Sequence, residues 1–78
     1  KKVGIIKDDK DAKPKAEEIW IEVYGNKIKD KKPFIVYYDR DTECYLVTGS
    51  VPKKVDGGKP YIIFQEKDGL ILAVWHDK

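Results

Sequence analysis

Two apolar runs, Tyr61-Ile62-Ile63-Phe64 and Leu70-Ile71-Leu72-Ala73-Val74-Trp75, flank the segment Glu66-Lys67-Asp68-Gly69. Both runs are rich in β-branched and aromatic residues. A turn ending in Asp-Gly between two such runs is a strong hairpin signal, because glycine supplies the positive φ that the turn needs. Gly57-Gly58 opens the first run. The chain is therefore committed to antiparallel pairing at one end, and any fold assigned to the rest must build onto that hairpin.

Upstream, the spacing predicts one helix, roughly residues 12–25. Ala12, Ala16, Ile19, Trp20 and Val23 make one apolar stripe at helical period, with Tyr24 one turn beyond Trp20. Glu17, Glu18 and Glu22 point away from it. Asp9 or Asp11 is the expected N-cap, which places Pro14 in the first turn, where proline is tolerated. Gly25 and Asn26 end the helix. Residues 1–11 are expected as a flexible, loosely held arm around Val3-Gly4-Ile5-Ile6, and residues 12–78 as a single domain. After a charged loop come four strands: Pro33–Asp39, a tight Arg40-Asp41 turn, Thr42–Ser50, a longer connection Val51–Gly58, Tyr61–Glu66 and Leu70–His76. Short links favour sequential antiparallel neighbours. The predicted fold class is α+β, one helix on a four-stranded antiparallel meander.

The strands are apolar on both faces. Phe34, Val36 and Tyr38 alternate with Ile35 and Tyr37, and Ile62 and Phe64 with Tyr61 and Ile63. One helix covers one face only. The other is expected to remain open to a protein partner or to a second copy in a homodimer. Tyr37, Tyr45, Tyr61 and Trp75 are its candidate anchors, since tyrosine and tryptophan anchor interfaces well; sequence leaves the parity of each strand open. The acidic turn carrying Asp39, Asp41 and Glu43 is a second candidate contact.

At 78 residues the chain is one small domain. It carries 16 basic and 14 acidic residues, interspersed, so charge alone indicates neither a nucleic-acid nor a membrane surface. Lys27 to Lys32 is a basic stretch diluted by Asp30. One cysteine, Cys44, excludes an intramolecular disulfide framework. No run approaches the ~20 apolar residues of a membrane span, and no signal peptide is evident. A cytoplasmic protein is favoured; the start at Lys1, without Met, leaves an exported, processed form open.

Chemistry-bearing residues are sparse. His76 is the single histidine, and a general base needs a positioned partner that neighbouring strand residues do not supply. Cys44 lies in a strand and is expected to act as a small hydrophobe. One histidine and one cysteine do not make a zinc site, and no phosphate-binding or nucleophile-elbow motif occurs. No catalytic residue, metal or cofactor is expected.

The order of motifs carries more. A helix ending Tyr24-Gly25 is followed by Lys32-Pro33-Phe34, then Tyr45-Leu46-Val47-Thr48-Gly49-Ser50-Val51-Pro52, Gly57-Gly58, and Lys67-Asp68-Gly69-Leu70. Over residues 12–78 this resembles the bacterial immunity proteins of nuclear-transport-factor-2-like (cystatin-like) fold. Their pattern has Trp where Tyr45 stands, and His-Gly-Lys where this chain has His76-Asp77-Lys78. The resemblance implies a non-enzymatic protein that binds and neutralises a partner toxin of a polymorphic toxin system. The alternative is a small-ligand-binding or enzymatic member of the cystatin-like group, which a pocket deeper than a surface groove would favour. A cystatin-type protease inhibitor would need an apolar inhibitory hairpin, whereas Val51–Gly58 carries two lysines and an aspartate.

Overall fold

A computed structural model describes residues 1–51 and 57–77 of the chain. Most of the connection expected at Val51–Gly58, and Lys78, lie outside the described residues. Helix α1 spans Asp9–Tyr24, and a 3-10 turn, Asn26–Lys31, follows. The strands are β1 (Ile35–Asp39), β2 (Cys44–Thr48), β3 (Pro60–Gln65) and β4 (Ile71–His76). They form one sheet in the order β1-β2-β3-β4, every pair antiparallel. The expected α+β architecture is therefore present, with somewhat shorter β1 and β2.

The helix begins earlier than the stripe indicates. Its N-cap is Asp8, not Asp9 or Asp11, and the Asp8 carboxylate accepts the Asp11 backbone N–H at 2.8 Å. Asp11 reaches back to accept the Lys7 N–H at 3.0 Å and pairs with Lys15, one turn on, at 2.8 Å. Orphan donors at the helix start are thus satisfied from both directions. Counting from Asp9, Pro14 is the sixth helical residue, one turn deeper than expected. Its missing N–H leaves the Lys10 carbonyl without its helical donor. Both residues are exposed, so water can serve that oxygen. Gly25 ends the helix as expected, with φ +84° and its N–H donated to the Ile21 carbonyl at 2.8 Å.

Ala12, Ala16, Ile19 and Trp20 are buried. Trp20 meets Phe34 edge-on at 5.0 Å and donates its indole N–H to the Tyr61 carbonyl at 3.3 Å. Val23, expected in the same stripe, is 56% exposed. The buried line follows the i, i+4 row Ala12–Ala16–Trp20–Tyr24, which is inclined to the helix axis by about 26°. Tyr24 takes the last contact, edge-on to His76 at 5.1 Å, and the i+3 position Val23 is left outside. Ile28 of the 3-10 turn closes that end of the core.

Strand register divides the sheet into two faces. Val36, Val47, Ile62 and Val74 form one row toward the helix, and Tyr38, Tyr45, Phe64 and Ile71 the next. Val47, Ile62 and Phe64 are fully buried beneath α1. At the β3–β4 turn Gly69 has φ +68°, the conformation expected of it, and the Asp68 carboxylate accepts the Leu70 N–H at 2.9 Å. The β1–β2 connection is a four-residue turn, Arg40–Glu43, rather than a tight Arg40-Asp41 turn; Glu43 occupies the left-handed region at φ +54°.

The expectation of a loosely held arm is corrected by its contacts. Lys2 bridges to Leu70, Gly4 donates to the Asp68 carbonyl at 3.0 Å and Ile6 to the Glu66 carbonyl at 2.9 Å. Ile6 is only 1% exposed and belongs to the core. The arm lies so close to the turn that a Cβ on Gly69 would collide with the Gly4 carbonyl and the Val3 side chain. The apolar patch Val3–Ile6 is what draws it in: one more large aliphatic side chain adds to a core that is small to begin with.

Ile6→Ala and Ile19→Ala should each cost about 2–5 kcal/mol, measured by urea unfolding. An Ile6→Ala variant as stable as the parent protein would show that the arm is not part of the core.

Two carboxylates contribute to the pH dependence of stability. Asp11 titrates below its ordinary value, chiefly through the hydrogen bond from Lys15 and then that from Lys7. Asp68 does so chiefly through the Leu70 N–H. A folded-state pKa below the unfolded one contributes stability that is fully present above the unfolded value, about 3.9, and is lost as pH falls through the folded value. Asp11→Asn and Asp68→Asn should therefore weaken the protein at pH 7 and flatten its loss of stability below about pH 4. Unfolding midpoints between pH 7 and 2 measure this, and unchanged slopes would contradict it.

Candidate protein-binding face

The sheet face away from the helix is covered by no described element. Its rows are Ile35, Thr48, Tyr61 and Trp75, then Tyr37, Leu46, Ile63 and Ala73. Tyr61 and Trp75, opposite each other on β3 and β4, stack at 4.9 Å with planes 4° apart. The Tyr61 hydroxyl donates to Asp77 at 2.9 Å, which raises its pKa above the usual tyrosine value, with desolvation adding to the effect. Two ordered rings on adjacent strands make a rigid apolar plate with little rotamer freedom left to lose on binding.

Beside the plate runs a groove of about 460 Å³. Tyr37, Cys44, Leu46, Ile63 and Leu72 of the open face line it together with Tyr38, Tyr45, Asp39 and Thr42. A register shift in the β3–β4 pairing, between Ile63 and Phe64, accompanies this arrangement: Phe64 pairs with Ile71 and Ile63 with Ala73, so Leu72 is the extra residue of β4. A bulge of this kind re-aims a side chain, and Leu72 comes to line the groove, 49% exposed.

The sequence-predicted residues divide accordingly. Tyr37, Tyr61 and Trp75 lie on the open face, with Tyr37 56% and Trp75 40% exposed. Tyr45 does not. Its partners across the sheet are Tyr38 and Phe64, it faces the helix, and it is only 7% exposed. Tyr45 is a core residue, tilted against Tyr38 at 4.8 Å, and it is corrected from anchor to packing. Burial raises its phenol pKa accordingly. Asp39, Asp41 and Glu43 are brought together at the β1–β2 turn, next to the groove. The Asp39 carboxylate accepts the Asp41 N–H and the Thr42 hydroxyl, both at 3.0 Å. This shapes the turn. The Glu43 carbonyl accepts the Glu66 N–H at 3.0 Å, tying the turn to the end of β3.

Leu46, Ile63 and Leu72 were not singled out from sequence. Leu46 and Ile63 follow from the register once Tyr37 is placed. Leu72 does not, since a bulge breaks the alternation that would have located it.

Elsewhere the reactive side chains are dispersed. His76 is exposed, its Nδ1 lies 2.7 Å from the Asp77 carbonyl, and its ring packs on Tyr24. Cys44 is half-buried, with Sγ 3.4 Å from the Thr42 carbonyl. Among the described residues no three His, Cys, Asp or Glu side chains are grouped to hold a metal ion. No described helix is long and apolar enough to cross a membrane. The groove on the open sheet is lined mostly by apolar side chains.

Since Tyr37 and Leu72 are half in water, Tyr37→Ala and Leu72→Ala should each change unfolding free energy by less than about 1.5 kcal/mol. Tyr45→Ala should cost about 3–5 kcal/mol. Chemical unfolding of the three variants checks the division; equal losses would mean that the two faces are not separate.

A family model described as an NTF2 fold immunity protein matches residues 12–78. Comparisons with curated proteins and with solved structures give no significant match. The matched segment holds all four strands and nearly all of α1, and its one-helix, four-strand order agrees with that fold. By its sequence over residues 12–78, this chain belongs to the NTF2 fold immunity protein family.

Proposed function

We propose that this protein neutralises a partner toxin of a polymorphic toxin system by binding it, without catalysis, and that the open sheet face is the surface it uses. The observation that carries the reading is a sheet face with Tyr37, Leu72 and Trp75 in solvent on a domain whose helix is committed to the other side. Exposed aromatic and aliphatic groups on one rigid surface suit a binding site. An interface built there should bury above about 1,000 Å² in total. The groove beside it is open and lined mostly by apolar side chains, with Asp39 and Thr42 also in its lining. A site for small-molecule chemistry would need more polar groups converging on one point. Family membership supplies the class of partner: a protein toxin.

The test is to search the genes beside its own for a toxin, to express the protein with that toxin, and to measure growth and co-purification. Protection of the cells together with a stable complex is expected. His76→Ala should retain protection, because that side chain lies off the groove and lacks the partners a catalytic group needs. Loss of protection in that variant, with folding unchanged, would overturn the non-enzymatic reading. Failure to bind the toxin would overturn the neutralisation itself.

A further inference from the structure

The charge around the open face is not evenly spread. At the end of the groove Asp39, the last residue of β1, and Asp41 and Glu43 of the β1–β2 turn stand with Arg40, all four exposed, and with Lys67 beside Glu43. None of the four makes an ion pair among the described residues. The opposite end of the sheet adjoins the 3-10 turn, where Lys27, Lys29 and Lys31 stand with Asp30, and Lys32, just beyond it, pairs with Glu17 at 3.3 Å. A chain carrying a net charge of +2 thus offers its apolar groove beneath a locally acidic rim.

The geometry points to a protein partner that inserts one aliphatic or aromatic side chain into the groove between Tyr37, Leu46 and Leu72, with an arginine or lysine beside it to meet Asp39 and Asp41. This deepens the binding function proposed above and rests on it. The groove's volume of about 460 Å³ exceeds the room one large side chain fills, so an anchor and the stem of its basic neighbour fit together. The stem of an arginine or lysine covers apolar surface while its charge stays at the rim. The Asp39 carboxylate accepts one hydrogen bond on each oxygen from its own turn and keeps lone pairs free for a charged donor. The lysine-rich end disfavours the reverse orientation. In such an arrangement the rim charges act mainly on the rate of encounter and on orientation, and the desolvated anchor on the rate of release.

Two arms test this. In the first, capped tripeptides Arg-Leu-Arg and Glu-Leu-Glu are titrated into the labelled protein and followed by NMR. The basic peptide should shift the amides of Tyr37, Leu46 and Leu72 saturably and bind at least five-fold more tightly than the acidic one. The triple variant Asp39→Asn, Asp41→Asn, Glu43→Gln should abolish that preference while leaving the fold spectrum intact. Equal binding of the two peptides, or preference for the acidic one, overturns the proposal. In the second arm, association and dissociation of the co-expressed toxin are measured. The triple variant should slow association about ten-fold at low salt and flatten its salt dependence, and Leu72→Lys should speed dissociation at least ten-fold. If both variants bind the toxin within two-fold of the parent protein, the groove is not the anchor site, and neutralisation through another surface stands. If the parent protein does not bind the toxin, the neutralisation reading falls and the peptide arm alone decides the groove's chemistry.

Discussion

A helix of 16 residues is about 24 Å long and 10–12 Å wide, and four strands set about 4.8 Å apart make a sheet that such a helix can cover on one side only. Every strand here has apolar side chains on both sides. That mismatch organises the molecule. The side under α1 becomes a closed core around Trp20, Val47, Ile62 and Phe64. The other side is left with rings and aliphatic groups in water. The described residues hold no second α-helix that covers that face, and exposed lysines, aspartates and glutamates are spread over the remainder of the surface.

Covering even one side takes more than the helix. Ile6, Ile28 and Phe34, none of them on α1 or the sheet, complete the core around the helix residues. The helix start is held where that geometry needs it by Asp8 and Asp11, which between them hold the N–H groups of Asp11 and Lys7. The Lys15 ammonium then ties the first turns to the arm by donating to the Ile5 carbonyl at 2.8 Å. Capping, arm and core are one connected arrangement.

Much of this was legible in the chain. Helical spacing identified Ala12, Ala16, Ile19 and Trp20; Asp68-Gly69 identified the hairpin; Gly25 identified the helix end. Each signal is local, and each rests on backbone geometry that neighbouring residues determine. What was not legible depends on tertiary arrangement. Asp8, Asp9 and Asp11 are equivalent as caps until the packing of the arm selects one. Val23 and Tyr24 compete for the last buried position, and the crossing angle of the helix decides between them. Tyr45 and Tyr37 look alike as strand tyrosines, and only the register sends one inward and the other outward. The candidate face could be inferred as a consequence of two-sided strands, but its groove takes in Leu72 of the β4 bulge, which no residue type announces.

The docking of residues 1–6 against the β3–β4 turn bears on the order in which the molecule assembles. The Lys2–Leu70 bridge joins the two ends of the chain, whereas the β1–β2 and β3–β4 hairpins close through short turns. Loop-closure entropy grows with the length of chain enclosed, so the end-to-end contact is the most expensive one to form from an open coil. It becomes favourable once the hairpins and the helix have already brought Glu66 to Leu70 beside the start of α1. The arm is thereby a late-closing element, held by hydrogen bonds to the Glu66, Asp68 and Gly69 carbonyls and by the buried Ile6. Unfolding would start where assembly finished, with Ile6 leaving the core before the hairpins part.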